Sequence, residues 1–180
     1  MKIILFNIIA ACYLLSFDGS LHDFSVPLIE GGNRSLSVYS DKKVMIVTLP
    51  LQQTANTDSM LYSLDTLAAA RANELKVVAV PSIEDGFTVG QKNELLQWYR
   101  SKLDTSIIIT DGLYTHKSSG IQQHPLFVWL THDAENGVFD VDANSPGFKY
   151  ICNNSGKLYA VLNTHTKMHG SLVQKVLNAQ

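Results

Sequence analysis

The residues with the strongest intrinsic chemistry in this 180-residue chain are its two cysteines, Cys12 and Cys152. A thiolate is a strong nucleophile, and it forms at neutral pH where the surroundings lower the pKa of the thiol. Cys152 ends an apolar run at residues 150–152, which favours packing as a small core residue and leaves redox chemistry as the alternative. Cys12 falls in an apolar N-terminal segment. Two cysteines are too few for a disulfide framework.

Acid and base groups follow a second apolar run, at residues 77–80, where Glu84 and Asp85 are adjacent. Such a pair at the end of a strand can act as general acid and base or hold a cation, and the alternative is a solvated loop. Ser82 could form a hydrolytic pair with His116 or His124. No nucleophile elbow surrounds this serine, so a hydrolase has little support.

Two histidines, His165 and His169, are four residues apart and could share one helical face as metal ligands. No cysteine or carboxylate nearby completes such a site. We therefore expect no metal and no cofactor.

Apolar runs and helical spacing predict the elements that position these side chains. Residues 44–49, 77–80 and 107–109 are typical of buried strands, and residues 150–152 and 158–161 predict a hairpin. Residues 21–29 and 35–39 predict another hairpin, around Gly31 and Gly32. Helices are predicted after Asp58 as the cap, over residues 91–102 and 124–132, and from about residue 169 to 177. The apolar positions of the first helix are Met60, Leu61, Leu64, Leu67, Ala68 and Leu75.

This order of strand, helix, strand, helix, hairpin and helix predicts an α/β sandwich with a parallel core and an antiparallel edge. A right-handed crossover brings the carboxyl ends of the strands at 44–49 and 77–80 side by side. A functional site is expected in the loops at those ends. The aromatic pairs Trp98 with Tyr99 and Phe127 with Trp129 are expected to pack on the sheet, and the alternative is a partner surface.

Length and charge limit the organisation and the partners. With 46% hydrophobic residues, 180 residues build one buried core but not two, so a single domain is predicted over residues 21–180. Lys and Arg number 14 against 16 Asp and Glu, which gives a net charge of -2 with no basic run. Nucleic acid is therefore not an expected partner.

The first 20 residues have the pattern of an export signal. Lys2 precedes an apolar stretch at residues 3–15, and small and polar residues follow it. The stretch is shorter than the roughly 20 residues of a membrane-spanning helix, so no stable transmembrane span is expected. We predict an exported protein, periplasmic or secreted. One alternative is a lipid anchor on Cys12, because residues 9–12 resemble a bacterial lipobox, and another is a buried N-terminal strand.

Several motifs, in this order, resemble the glutathione peroxidase family over nearly the whole mature chain. Residues 21–26 (Leu-His-Asp-Phe-Ser-Val) are similar to its opening strand, and residues 44–49 to the strand that delivers its nucleophile. Residues 77–81 (Val-Val-Ala-Val-Pro) are similar to the strand that ends in Phe-Pro. Gly90, His124 with Pro125, and Gly156 fall at the family's spacings. The resemblance implies a thioredoxin-like three-layer sandwich with a central mixed sheet.

The catalytic positions of that family are replaced in this chain. Its pattern Val-Asn-Val-Ala-Ser-Lys-Cys-Gly-Leu-Thr, laid over the chain from Val47, puts Gln53 at the nucleophile. Glu84 then stands at the family's Gln, and Ser145 and Pro146 stand at its Trp and Asn. Ser82 takes the place of a resolving Cys found in many members. The resemblance therefore implies a family member without the catalytic residues.

Two classes of function follow from this reading. The favoured one is a non-catalytic pseudo-peroxidase that binds an unknown protein or small molecule at the former active-site mouth, where Gln53, Ser82, Glu84 and Asp85 are the binding candidates. The alternative is a thiol-dependent peroxidase or oxidoreductase of oxidative stress, with changed or residual chemistry at Cys152.

Overall fold

The computed structural model describes residues 19–179. Residues 1–18 of the predicted export segment (residues 1–20), among them Cys12, lie outside the described residues. Within residues 19–179, no helix is long and apolar enough to cross a membrane.

A small hairpin opens the described chain, as predicted, but its strands are short. Strand β1 (Ser25–Pro27) pairs antiparallel with β2 (Asn33–Ser35), and Gly31 and Gly32 make the turn with φ of 103° and 79°. The segment Leu36–Tyr39, predicted as strand, is instead a turn of 3-10 helix. These residues form a turn because the Ser35 hydroxyl accepts a hydrogen bond from the Ser37 backbone N–H and so caps it.

A five-stranded mixed sheet forms the centre, in the order β5-β4-β3-β6-β7. Its parallel part and its antiparallel edge are those predicted from the sequence. Leu49 pairs with Pro81, so the carboxyl ends of the first two parallel strands lie side by side. The parallel strands are β3 (Lys43–Leu49), β4 (Leu75–Pro81) and β5 (Ile108–Ile109), and the antiparallel strands are β6 (Lys149–Cys152) and β7 (Leu158–Leu162).

Helices cover both faces of the sheet and complete the three layers. One face carries α1 (Ala55–Ala70), α2 (Lys92–Arg100) and α5 (Ser171–Asn178), whose apolar residues share one buried cluster. The other face carries α3 (Pro125–Thr131), which precedes the short α4 (Asp133–Asn136). The connections from β3 to β4 and from β4 to β5 run in the same direction along the sheet, which accounts for α1 and α2 lying on the same face. Three layers around a central mixed sheet are the arrangement predicted from the sequence.

Three helix boundaries differ from the predictions. Helix α1 is capped by Thr54, whose hydroxyl accepts from the Thr57 N–H at 3.2 Å, and not by Asp58. Leu75, which matched the helical spacing, begins β4 because the helix ends at Ala70. Helix α5 begins at Ser171, after Gly170, so His169 lies in the preceding loop.

Candidate functional site

Gln53 lies in the loop between β3 and α1, immediately before the Thr54 cap. Its side chain is exposed, and its Nε2 donates to the two carboxylate oxygens of Asp58 at 3.4 and 3.3 Å. An amide at the start of this helix can donate and accept hydrogen bonds but has no nucleophilic sulfur. This loop is where the family pattern puts the nucleophile.

The Asp58 carboxylate is the centre of a network on the side of α1 that faces α2. Trp98 Nε1 donates to its Oδ1 at 2.7 Å, and Lys102 Nζ lies 3.1 Å from its Oδ2. The hydrogen bond from Trp98, followed by that from Lys102, holds the pKa of Asp58 below its ordinary value. We call Gln53, Asp58, Trp98 and Lys102 the α2 flank. The space beside it is only about 100 Å³.

Sequence reasoning missed this role of Asp58 because the residue was interpreted as a helix cap. An aspartate in the first turn of a helix has the same sequence signature whether it caps the helix or binds a neighbouring helix. The identity of its partners, Trp98 and Lys102, depends on how α2 packs beside α1.

Glu84 belongs to a different network, at the end of β4. Its carboxylate accepts from the backbone N–H groups of Thr115 and His116, both at 3.0 Å, and from the hydroxyls of Ser82 and Ser119. Burial alone would raise the pKa of Glu84, but the hydrogen bonds from Ser119, Thr115 and His116 outweigh it and lower the pKa to about 2. An ionised Glu84 thus ties the loop at residues 115–119 to the sheet.

Asp85 pairs with His116 beside this network. Asp85 Oδ1 lies 3.4 Å from His116 Nε2, and both side chains are largely buried. Burial raises the pKa of Asp85, and the charge of Glu84 adds to that rise while His116 opposes it. The Ser82 hydroxyl bonds to Glu84 and Thr115. Neither His116 nor His124, the two candidate partners for a hydrolytic pair, is hydrogen-bonded to this serine, and His124 Nδ1 instead accepts from the Leu126 N–H.

Ser145 and Pro146 lie on the opposite side of α1 from α2. Thr48 Oγ1 donates to the Ser145 carbonyl at 2.9 Å. Pro146 lines a groove of about 510 Å³ between the exposed end of α1, the start of β6 and the loop at residues 164–170. We call this space the β6 groove. That Gln53, Glu84, Ser145 and Pro146 form one degenerate site stays a prediction, because their hydrogen bonds go to separate parts of the molecule.

The floor of the β6 groove contains Lys149, a residue that sequence reasoning missed. Its side chain is 1% exposed, and its Nζ donates to the carbonyls of Gly147 at 2.7 Å and Asn163 at 3.3 Å. The available signal was a lysine between Phe148 and Tyr150, at the start of an apolar strand, because buried lysines are rare. Burial lowers the pKa of Lys149 to about 8.

His165 and His169 stand at the rim of the same groove, in the loop before α5, and so do not share a helical face. In the part of the chain that the structure describes, no group of three or more His, Cys, Asp or Glu side chains could hold a metal ion.

No family model matches this chain. Its sequence is 26% identical over 152 residues to the glutathione peroxidase homolog BsaA of Halalkalibacterium halodurans, covering 77% of this chain and 86% of that protein. The solved structure of Trgpx in its apo form matches with a TM-score of 0.65 and 18% identity, over 88% of this chain and 93% of that one. GPX1 of T. cruzi matches with a TM-score of 0.62 and 15% identity, over 88% and 95%.

The chain has a glutathione-peroxidase-like thioredoxin fold. In this glutathione-peroxidase-like chain, Cys152 is the one cysteine of the described residues. It is fully buried and pairs with Val44, at the opposite end of β3 from the loop that holds Gln53. It packs in the cluster on the α3 face, away from α1. Burial raises the pKa of its thiol above the ordinary value, which disfavours the thiolate.

Proposed function

We propose that this glutathione-peroxidase-like chain is an exported, non-catalytic binding domain. Its sequence is similar to a glutathione peroxidase homolog, and its fold is similar to that of Trgpx. Both likenesses support a relation to peroxidases and oxidoreductases. The single observation that carries the non-catalytic proposal is Gln53, because an amide stands where the family pattern has its nucleophile.

The surroundings of Gln53 support the same proposal. Asp58 lies within hydrogen-bond distance of its side chain, and a carboxylate beside a thiol would disfavour the thiolate. Asp58 is therefore the carboxylate that hydrogen-bonds to the residue at position 53. The Glu84 carboxylate is bound instead to the loop at residues 115–119.

Export is proposed on the N-terminal pattern alone, a lysine followed by an apolar stretch and then small and polar residues. Mass spectrometry of the exported product should find a new N-terminus near residues 16–21. A cytosolic chain that still begins at Met1 would contradict export, and a diacylglyceryl group on Cys12 would replace simple export with lipid anchoring.

The binding role is proposed for the former active-site mouth. Its candidate residues are Gln53, Ser82, Glu84 and Asp85, and the partner is an unknown protein or small molecule. Of these side chains, Gln53 is exposed, whereas Ser82 is fully buried. A partner at this mouth therefore contacts Gln53 directly, whereas Ser82 acts only through the loop at residues 115–119 that it helps to hold.

The alternative function is a thiol-dependent peroxidase, and the observation in its favour is the match to a glutathione peroxidase homolog. Such chemistry within the described residues would have to use Cys152. Its complete burial and its raised pKa oppose that role.

A peroxidase assay tests the proposal. The wild-type protein should consume hydrogen peroxide and an organic hydroperoxide no faster than buffer, with either glutathione or thioredoxin as the thiol donor. Cys12→Ser and Cys152→Ser are matched controls for the two thiols. Robust turnover by the wild type that disappears in Cys152→Ser would overturn the proposal in favour of the alternative.

Restoring the nucleophile sharpens the test. Gln53→Cys alone should restore little activity, because the family's Trp and Asn are replaced by Ser145 and Pro146 and because Asp58 disfavours the thiolate. The pKa of the new thiol, measured from the pH dependence of its alkylation by iodoacetamide, should be lower in Gln53→Cys with Asp58→Asn than in Gln53→Cys alone. Equal pKa values would show that Asp58 does not control this position.

A further inference from the structure

The β6 groove is large enough for a small organic molecule. Its volume of about 510 Å³ lies within the range of pockets that bind such ligands. Its walls are one face of α1, through Ser59, Met60 and Ser63, and the loop at residues 164–170. Met60 and Met168 give it apolar surface, and the serines give it hydroxyl groups.

The charge of the groove is one-sided. No Asp or Glu occurs among its lining residues, whereas Lys149, His165, Lys167 and His169 all line it. This is notable in a chain whose acidic residues outnumber its Lys and Arg by 16 to 14. A concave surface with basic groups and no acidic group attracts anions.

Lys149 gives this attraction a fixed position. A lysine ammonium has three N–H donors, and two of those of Lys149 go to the Gly147 and Asn163 carbonyls. The third has no acceptor among residues 19–179, and no carboxylate in that range forms an ion pair with Lys149. A buried charge without a counter-ion is costly unless a partner neutralises it.

We infer that the β6 groove binds a small organic anion that carries its acidic head on an apolar body. The head, a carboxylate or a phosphate, accepts from the free N–H of Lys149. The apolar body lies against Met60 and Met168. This inference goes beyond the proposed function, since it concerns the other side of α1 from Gln53 and holds whether or not the protein reduces peroxides.

Binding of a matched series of six-carbon probes to the full chain tests the inference. Hexanoate and hexyl phosphate carry the two candidate heads, and hexanol and hexylammonium are the neutral and cationic controls. Isothermal titration or NMR chemical-shift changes should show that an anionic probe binds at least about tenfold more tightly than either control. A hydrogen bond to a charged group supplies a difference in affinity of that size. Whichever of hexanoate and hexyl phosphate binds with the higher affinity identifies the preferred head group. Equal binding of hexanol and the anions would overturn the inference.

Variants locate the site. Lys149→Met should weaken anion binding about tenfold or more, while Lys76→Met, a matched control at the other end of the sheet, should leave it unchanged. Because Lys149 is buried, its variant could fold poorly, so Ser59→Trp provides a second test, since Ser59 is exposed and a Trp there fills the groove without changing its charge. Anion binding that survives both Lys149→Met and Ser59→Trp within twofold would refute a site in the β6 groove.

Discussion

The two sides of helix α1 differ in how their polar groups are satisfied. On the α2 flank, the Asp58 carboxylate has three partners, and about 100 Å³ of space remains. In the β6 groove, the Lys149 ammonium has two carbonyl partners and no carboxylate, beside about 510 Å³ of space. On the side of Gln53, the carboxylate is already satisfied within the protein and little space remains, so a partner there meets an exposed surface. The other side keeps a charge and a volume for a small ligand.

The largest effect should come from the packing of the α2 flank. Trp98→Ala should lower the free energy of unfolding by about 3–5 kcal/mol, because the indole is 8% exposed, packs on Tyr99 and donates to Asp58. Met60→Ala, on the β6 groove, should cost only about 1 kcal/mol, because Met60 is half-buried. Urea denaturation measures both. Equal losses of unfolding free energy in the two variants would contradict the contrast between the well-packed α2 flank and the open β6 groove.

The charge of Lys149 should appear in the pH dependence of stability. Its pKa falls from 10.5 to about 8 in the folded protein, so between these values the unfolded state binds the proton that the folded state has released. Wild-type stability should therefore rise with pH in this window by about 3 kcal/mol relative to Lys149→Met. The other titratable groups that line the groove, His165, Lys167 and His169, are present in both proteins. If the stabilities of the wild type and Lys149→Met changed in parallel from pH 7 to 10.5, the pKa of Lys149 would not be lowered by burial.

A smaller effect is expected at Glu84, which belongs to neither side of α1. Glu84→Gln should lower the free energy of unfolding at pH 7 by about 1–2 kcal/mol, after allowance for solvent screening, because the carboxylate accepts from two backbone N–H groups. The pKa of Glu84 is lowered from 4.5 to about 2, so this stabilisation is present above pH 4.5 and is lost as the pH falls towards 2. Urea midpoints of both proteins between pH 7 and 2 should converge. A constant gap would show that the carboxylate is not the stabilising group.

Much of the fold could be predicted because strands in a parallel sheet are continuous apolar runs, as in β3 and β4. Residues 35–39 were predicted as the second strand of a hairpin, but the Ser35 side chain caps residues 36–39 as a turn of 3-10 helix. The placement of Gln53 before α1 follows from the order of elements. The partners of Asp58 and Glu84 and the groove around Lys149 join segments that lie far apart in the sequence, so no local pattern announces them.

Sulfenic acid trapping on the native protein tests most directly whether residues 19–179 hold a peroxide-reactive thiol. A thiolate that attacks hydrogen peroxide becomes a sulfenic acid, and dimedone labels the sulfenic acid. Intact-mass and peptide mass spectrometry then locate the label. We predict no dimedone adduct on Cys152 in the folded protein after treatment with hydrogen peroxide, because the side chain is fully buried and its pKa is strongly raised. The same treatment in denaturant should label it, which provides the positive control. Rapid labelling of Cys152 in the folded protein would contradict a non-catalytic function and make that strand residue a reactive centre.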